Sequence, residues 1–118
     1  LTHMTTHNFT IKTQQILQNA QVLANQYENQ AIENIHLLHS IFENDNDVVP
    51  FILSKIGIPS AVLKQAVERS VQSLPKVKGG ESYFSRGAAD AISKAQAEAK
   101  KNGDDFVAVE HLFLGIFL

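Results

Sequence analysis

Few residues in this chain stand where a reactive group would need them. Glu33 and His36 form an E-x-x-H pair, and the i, i+3 spacing puts a carboxylate and an imidazole on one helical face, as in di-metal carboxylate bundles. Such a centre needs a second copy and two further inward carboxylates. The related position ahead of His111 is Ala108, so that copy is missing. His36 and His111 are expected instead to be partly buried, with a ring nitrogen bonded to backbone; His39 reads as surface variation. Serines are plentiful, but none sits in a strained elbow or glycine-rich turn that would expose a nucleophile. "GGES" (79–82) lacks the G-K-[ST] ending of a phosphate loop. With no cysteine, disulfides, thiolate ligands and thiol nucleophiles are all removed. The expectation is a non-enzyme with no catalytic residue, no metal and no cofactor.

Bulk composition narrows the partners. Of 118 residues, 44% are hydrophobic and 19% charged, enough for one well-filled core. The net charge of −2 argues against a phosphate-tracking surface, so nucleic acid is not an expected partner. No apolar run approaches the roughly 20 residues a membrane span needs, and no leader is recognisable. A cytoplasmic location is expected. Leu1-Thr2-His3 ahead of Met4 reads as a cloning remnant, and residues 1–8 as that remnant plus a flexible N-terminus.

The elements that would position any site are helices. In "IKTQQILQNAQVLANQY" (11–27), Ile16, Ala20, Leu23, Ala24 and Tyr27 share one face, and Thr10 stands at the N-cap. A second helix turns Ile35, Leu38, Ile41 and Phe42 inward. "NDND" (44–47) breaks it; Asp47 is placed to cap a short third helix (48–56) with Pro50 in its first turn and Gly57 just past its end. Pro59-Ser60 opens a fourth, striped by Leu63, Val67, Val71 and Leu74. "PKVKGGES" (75–82) is a connector. Ser85 caps a fifth helix whose buried face is Ala88, Ala91, Ala95 and Ala99 around Ile92; such small residues let helix axes approach to roughly 8 Å. Asn102-Gly103 ends it, and a sixth runs from about Val109 onward. No strand-like alternation of useful length is present, and the fold class is all-α.

Sliding the chain by 75 residues matches 9–43 to 84–118 without a gap. Phe9 meets Phe84, Ala20-Gln21 meets Ala95-Gln96, Ala24 meets Ala99, His36-Leu37 meets His111-Leu112, and Ile41-Phe42 meets Ile116-Phe117: eight identities in 35 positions, with Thr10 meeting Ser85 beside them. Leu17/Ile92, Ile32/Val107 and Leu38/Phe113 are conservative beside them. Unrelated amphipathic helices often align at apolar positions, but this match spans a cap, a loop and a second helix in one register. It therefore indicates a duplication, in which two helical units that cannot bury their stripes alone close on each other as a pseudo-two-fold bundle.

The same residues carry a family resemblance. Thr10 after an aromatic, Ile32-Glu33 before His36-Leu37-Leu38, Gly103-Asp104 before Phe106-Val107, and Glu110-His111-Leu112 resemble the duplicated amino-terminal domain of the Clp AAA+ chaperones. "SLPKVKGGESYFSR" (73–86) is more similar to the ClpB-type disaggregase branch than to the protease-associated branches. The resemblance covers Phe9 to Leu118, as repeat one (9–74), a linker (75–83) and repeat two (84–118). It implies a domain that binds unfolded or aggregated polypeptides, or alternatively adaptor proteins, and presents them to a homo-hexameric ring. ATP and Mg would belong to separate AAA+ modules. The family domain has four helices per repeat, whereas here repeat two has two, so counterparts of 44–74 are missing. Part of the Leu112, Phe113, Ile116 and Phe117 face should then be uncovered.

By resemblance, the substrate-engaging positions are Thr10, Asp104 and Glu110. Each also has a purely structural reading: an N-cap for Thr10, a turn residue after Gly103 for Asp104, and a partner for the positive helix end for Glu110. Phe9, Ile92, Phe106 and Val107 are expected around them as an apolar groove with a polar rim, suited to an extended chain. For Phe106 and Ile92 the core reading is preferred.

Overall fold

A computed structural model describes residues 8–118. The remnant assigned to the N-terminus therefore falls outside the described residues except for Asn8. That residue is tied into the fold, its carbonyl accepting the Val107 N–H at 2.8 Å.

Six helices build the described residues: α1 (Ile11–Gln26), α2 (Asn34–Asn44), α3 (Val48–Ile56), α4 (Ser60–Gln72), α5 (Arg86–Lys101) and α6 (Val109–Phe117). The fold is all-α, as the periodicity predicts. Thr10 Oγ1 accepts the Thr13 N–H at 3.1 Å and Ser85 Oγ accepts the Ala88 N–H at 3.1 Å. Both first helices thus begin with the same cap, each satisfying one orphan donor. On α1, Ile16, Leu17, Ala20, Leu23 and Ala24 are buried; on α5, Ala88, Ala91, Ile92, Ala95 and Ala99 are.

The central element is α2, packed by α1, α4, α5 and α6. It is buried on more than one face, with Leu37 and Ile41 fully enclosed and His36 and Ser40 beside them. Each such aliphatic side chain contributes about 1.5–3 kcal/mol by leaving water. On α6, Gly115 meets α5 at its alanine face, where an added Cβ would collide with the Ala91 carbonyl oxygen and lie 3.0 Å from Ala95 N. The close approach expected from the alanines is real, and Gly115 is its other half.

Two short strands join the units in a way the periodicity does not show. β1 (Ala31–Ile32) pairs in parallel with β2 (Tyr83–Phe84), and Phe9 bridges Val107 in parallel. The segment entering each first helix therefore bonds to the segment entering the other unit's second helix. Ser85 N–H donates to Ile32 O at 3.0 Å, and Thr10 N–H donates to Val107 O at 3.1 Å.

One expectation is corrected. Asp47 makes no side-chain cap to α3; the buried Asp45 carboxylate accepts the Val49 N–H at 2.8 Å and the Val48 N–H at 3.3 Å instead. Asp47 already has helical backbone (φ −118°, ψ −65°), whereas a capping side chain needs an extended one. The α6 face is uncovered in part, as expected: Leu112 and Phe113 are covered, because α5 and α3 pack against that helix, and the open part is its end. Ile116 is half-buried, and Phe117 is the exposed member of the face.

Candidate functional site

The crossed strands decide what can meet near the start of α6. Because Thr10 is bonded to Val107, a cap from repeat one is carried into repeat two. Thr10, Asp104, Asp105, Phe106, Ala108, Glu110 and His111 line one cleft of about 310 Å³. Thr10, Asp104, Glu110 and Phe106 were singled out from the sequence and lie together here. Phe9, Ile92 and Val107 do not line this cleft: they are buried core residues, since the strand pairing and the α5 stripe turn them inward. Phe106, for which the core reading was preferred, is 53% exposed. It is the apolar side chain the cleft offers.

The polar rim is held by one histidine motif used twice. His36 Nδ1 accepts the Glu33 N–H at 2.8 Å, and His111 Nδ1 accepts the Ala108 N–H at 2.9 Å. Each ring thereby satisfies the backbone donor at its helix's N-cap, as expected of a backbone-bonded histidine. With Nδ1 accepting, the proton of the neutral ring sits on Nε2. That second nitrogen donates to Asn29 Oδ1 (2.9 Å) in repeat one and to Asp104 Oδ2 (2.8 Å) in repeat two. The His111 bond fixes Asp104 on the rim. The Asp104 N–H also donates to Ala99 O at 2.9 Å, closing the turn after α5, where Gly103 adopts φ +74°.

Burial, the largest cause, pushes the His36 pKa below its ordinary 6.5; His39 acts the same way and Glu33 opposes them. Glu110 is exposed in the first turn of α6, where the helix dipole favours a negative charge. The Thr10 hydroxyl is occupied by its cap and by Thr13 Oγ1 at 2.8 Å. The structural readings of Thr10, Asp104 and Glu110 are thus all realised in the geometry.

These bonds also bear on chemistry. Both nitrogens of His36 are engaged, so the Glu33–His36 pair has no ring lone pair left for a metal. Among the described residues no cluster of three or more His, Asp or Glu side chains has metal-holding geometry. Ser40 Oγ donates to Ile16 O at 2.7 Å and Ser85 is a cap, so neither is paired with a histidine base. What remains is an open, acid-rimmed cleft. A roomier hollow of about 440 Å³ between α2 and α4 is walled mainly by ion-bearing side chains, with Lys64 Nζ 5.8 Å from the Phe42 ring centre. Its His39 Nδ1 lies 2.9 Å from Glu43 Oε1 without hydrogen-bond alignment. None of the residues singled out as a site lines it.

Sequence reasoning missed Asp105 and Ala108 as lining residues. Asp105 carried a signal in its pairing with Asp104; Ala108 carried none. His111 was marked by the repeat but not assigned to the site.

Residues 8–118 match the family model described as the Clp repeat (R) N-terminal domain. The chain belongs to the Clp repeat N-terminal domain family. A similar protein is the chaperone protein ClpB of Bacteroides thetaiotaomicron, 39% identical over 113 residues, a match covering 96% of this chain and 13% of that one. The Clp N-domain thus spans 13% of the length of the curated relatives it first matches. In fold it is similar to the Hsp104 N-terminal domain of Candida albicans, with a TM-score of 0.84, 21% identity, and coverage of 93% of this chain and 73% of that one. The N-terminal domain of the caseinolytic protease associated chaperone ClpD of Arabidopsis thaliana shares it too, with a TM-score of 0.72, 22% identity, and coverage of 99% and 80%. No single helix among the described residues is long and apolar enough to cross a membrane.

Proposed function

We propose that this Clp N-domain is the substrate-engaging part of a ClpB-type disaggregase, holding unfolded or aggregated polypeptides for delivery to an ATP-driven ring. The observation that carries the reading is the convergence of Thr10, Asp104, Glu110 and the exposed Phe106 on one cleft built from both repeats. The domain acts without catalysis. ATP and Mg are used by the AAA+ modules of the full protein, a homo-hexamer in the bacterial cytoplasm, and neither nucleic acid nor membrane is a partner.

Docking here is weak by construction. An extended chain loses conformational entropy on binding, and one half-exposed aromatic with a polar rim supplies little area. Six copies on a ring offset that weakness through avidity. Titrating the domain with a permanently unfolded model protein should give binding at tens to hundreds of micromolar. Phe106→Ala should weaken it about tenfold, the scale of losing roughly half an aromatic side chain's burial. No binding at high micromolar concentration would overturn the reading.

A second reading is favoured by the similarity to the ClpD domain: docking of a folded adaptor, as in ClpA- or ClpC-like chaperones. It predicts tight binding to one folded protein and indifference to unfolded chains, so the same titration separates the two.

A further inference from the structure

One side-chain amide joins the start of α2 to the connector (75–82) that links the repeats. Asn29 is 5% exposed, and both ends of its amide are engaged. Oδ1 accepts the His36 Nε2–H at 2.9 Å, and Nδ2 donates to the Pro75 carbonyl at 3.1 Å. Pro75 has no N–H, so that carbonyl is its whole backbone bonding capacity. With the Glu33 N–H donating to His36 Nδ1 at 2.8 Å, three bonds run in one direction, from Glu33 through ring and amide to the connector. Reversing the amide would set donor against donor at the ring and oxygen against oxygen at Pro75. The ring's proton therefore fixes the amide, and the amide holds the chain.

The connector's other holds are open to solvent or strained. Lys76 Nζ on Tyr27 O (2.9 Å), Gln30 Nε2 on Glu81 O (3.3 Å) and Ser82 Oγ against Asn25 Oδ1 (2.6 Å) all lie exposed, where water competes for each partner. The Val77 N–H reaches Glu28 O at 2.8 Å. Glu28 stands at φ +57°, a left-handed conformation that glutamate keeps only while its neighbours hold it.

We infer that Asn29 and His36 form a latch that clips the inter-repeat connector to repeat one, and that protonating the ring opens it. The added proton goes to Nδ1, since Nε2 already carries one. Nδ1 then becomes a donor facing the Glu33 N–H, and the ring has to move. An imidazole is rigid, so a displacement that relieves Nδ1 also withdraws Nε2 from Asn29. The buried amide oxygen loses its donor, the amide turns to find another, and Pro75 is released. Burial is the main resistance to that proton; Glu33 favours it and His39 resists it. Among the described residues no titratable side chain of α1, α4, α5, α6 or the connector is bonded to the ring, whose two nitrogens are both taken. Repeat two has the same ring and cap without the latch. Asp104 accepts from His111 Nε2 at 2.8 Å but has no N–H to pass the bond onward.

The test is NMR of the whole chain, following the His36 ring and the amide order parameters of 76–82 as pH is lowered. As pH falls below 6.5 and His36 titrates, the Val77 order parameter should drop from about 0.85 to below about 0.6, while that of Ala20 in α1 holds. Glu33→Gln removes the charge that favours the protonated ring, so the connector should then come free at a lower pH than in the wild type. Asn29→Asp keeps the acceptor for His36 and removes the donor to Pro75. It should free the connector above pH 6.5, with His36 still neutral. A connector that stays rigid while the ring titrates, or that stays rigid in Asn29→Asp, overturns the inference. So does a loss of order in Ala20 at the same pH, which would make the change general unfolding rather than release.

Discussion

The two repeats share a skeleton and differ at the rim. Under the 75-residue shift the bounds of α1 fall on those of α5, cap falls on cap, and each histidine closes the N-terminus of its second helix through Nδ1. Three of the differing pairs bear on this likeness. Asn29 becomes Asp104 beneath the histidine, Glu28 becomes Gly103 at the left-handed turn, and Ser40 becomes Gly115 at the helix crossing. The bonds that hold backbone groups in place recur, because an orphaned buried N–H or C=O costs the same in either half. Groups facing solvent carry no such obligation, so a rim can exchange amide for carboxylate while the fold beneath stays as it is.

The sharpest way to break the comparison is at the helix crossing. Ser40 sits against Ile16 and donates to its carbonyl at 2.7 Å, so repeat one accommodates a side chain there. In repeat two the corresponding Cβ would run into the Ala91 carbonyl, and backbone cannot yield as a flexible side chain can. Gly115→Ala should therefore cost about 3 kcal/mol or more through forced separation of α5 and α6. Ser40→Ala should cost about 1 kcal/mol, the loss of one buried hydrogen bond. Urea unfolding of both variants checks the ratio; similar losses would mean that the two crossings are not different in kind.

A smaller contrast separates the histidines. His36 is fully enclosed, and its removal orphans the Glu33 N–H and the buried Asn29 amide. His36→Ala should cost about 2–4 kcal/mol. His111→Ala should cost less, because its partner Asp104 is exposed and water can replace the lost bond. The same burial gives a pH signature. The native His36 pKa lies below 6.5, so the unfolded chain binds this proton more readily. The stability tied to the neutral ring is complete above pH 6.5 and is lost as pH falls from there through the native value. Protonating Nδ1 would also break the Glu33 cap. Wild-type stability should decline as pH falls below 6.5, and His36→Ala should remove most of that decline.

How much of this was legible in the sequence depends on the kind of interaction. The helices, the caps at Thr10 and Ser85 and the alanine face of α5 follow from local spacing, and the structure has them where the spacing puts them. The crossed strands escaped because each is two residues or fewer, too short for any alternation. Their consequence escaped with them: Phe9 and Val107 pair across the units and are buried. Asp45 was passed over for Asp47 because a cap three or four residues upstream depends on a bend that spacing does not record. Of the site, Thr10, Asp104 and Glu110 were found together by resemblance, not by periodicity, and Phe106 was expected near them but with the core reading preferred. The partner that holds Asp104 in place, His111, was readable only after the repeat had been aligned.

The last contrast is purely conformational. Glu28 holds φ +57° at the position where repeat two has Gly103 at φ +74°. Left-handed backbone costs a non-glycine residue about 1–2 kcal/mol, and here it persists because neighbouring bonds determine it: Asn29 N–H to Ala24 O and Val77 N–H to Glu28 O, both 2.8 Å. Glu28→Gly should relieve the strain, with part of the gain returned as extra entropy of the unfolded chain, for a net stabilisation of about 0.5–1 kcal/mol. Gly103→Ala should do the reverse by a similar amount, since no atom lies within 4 Å of its added Cβ and only the backbone term remains. Opposite signs and like magnitudes in thermal melts would show that the turn is one device used twice. If Glu28→Gly is destabilising, the glutamate has a role beyond its backbone carbonyl, and the two turns differ by more than the strain at one residue.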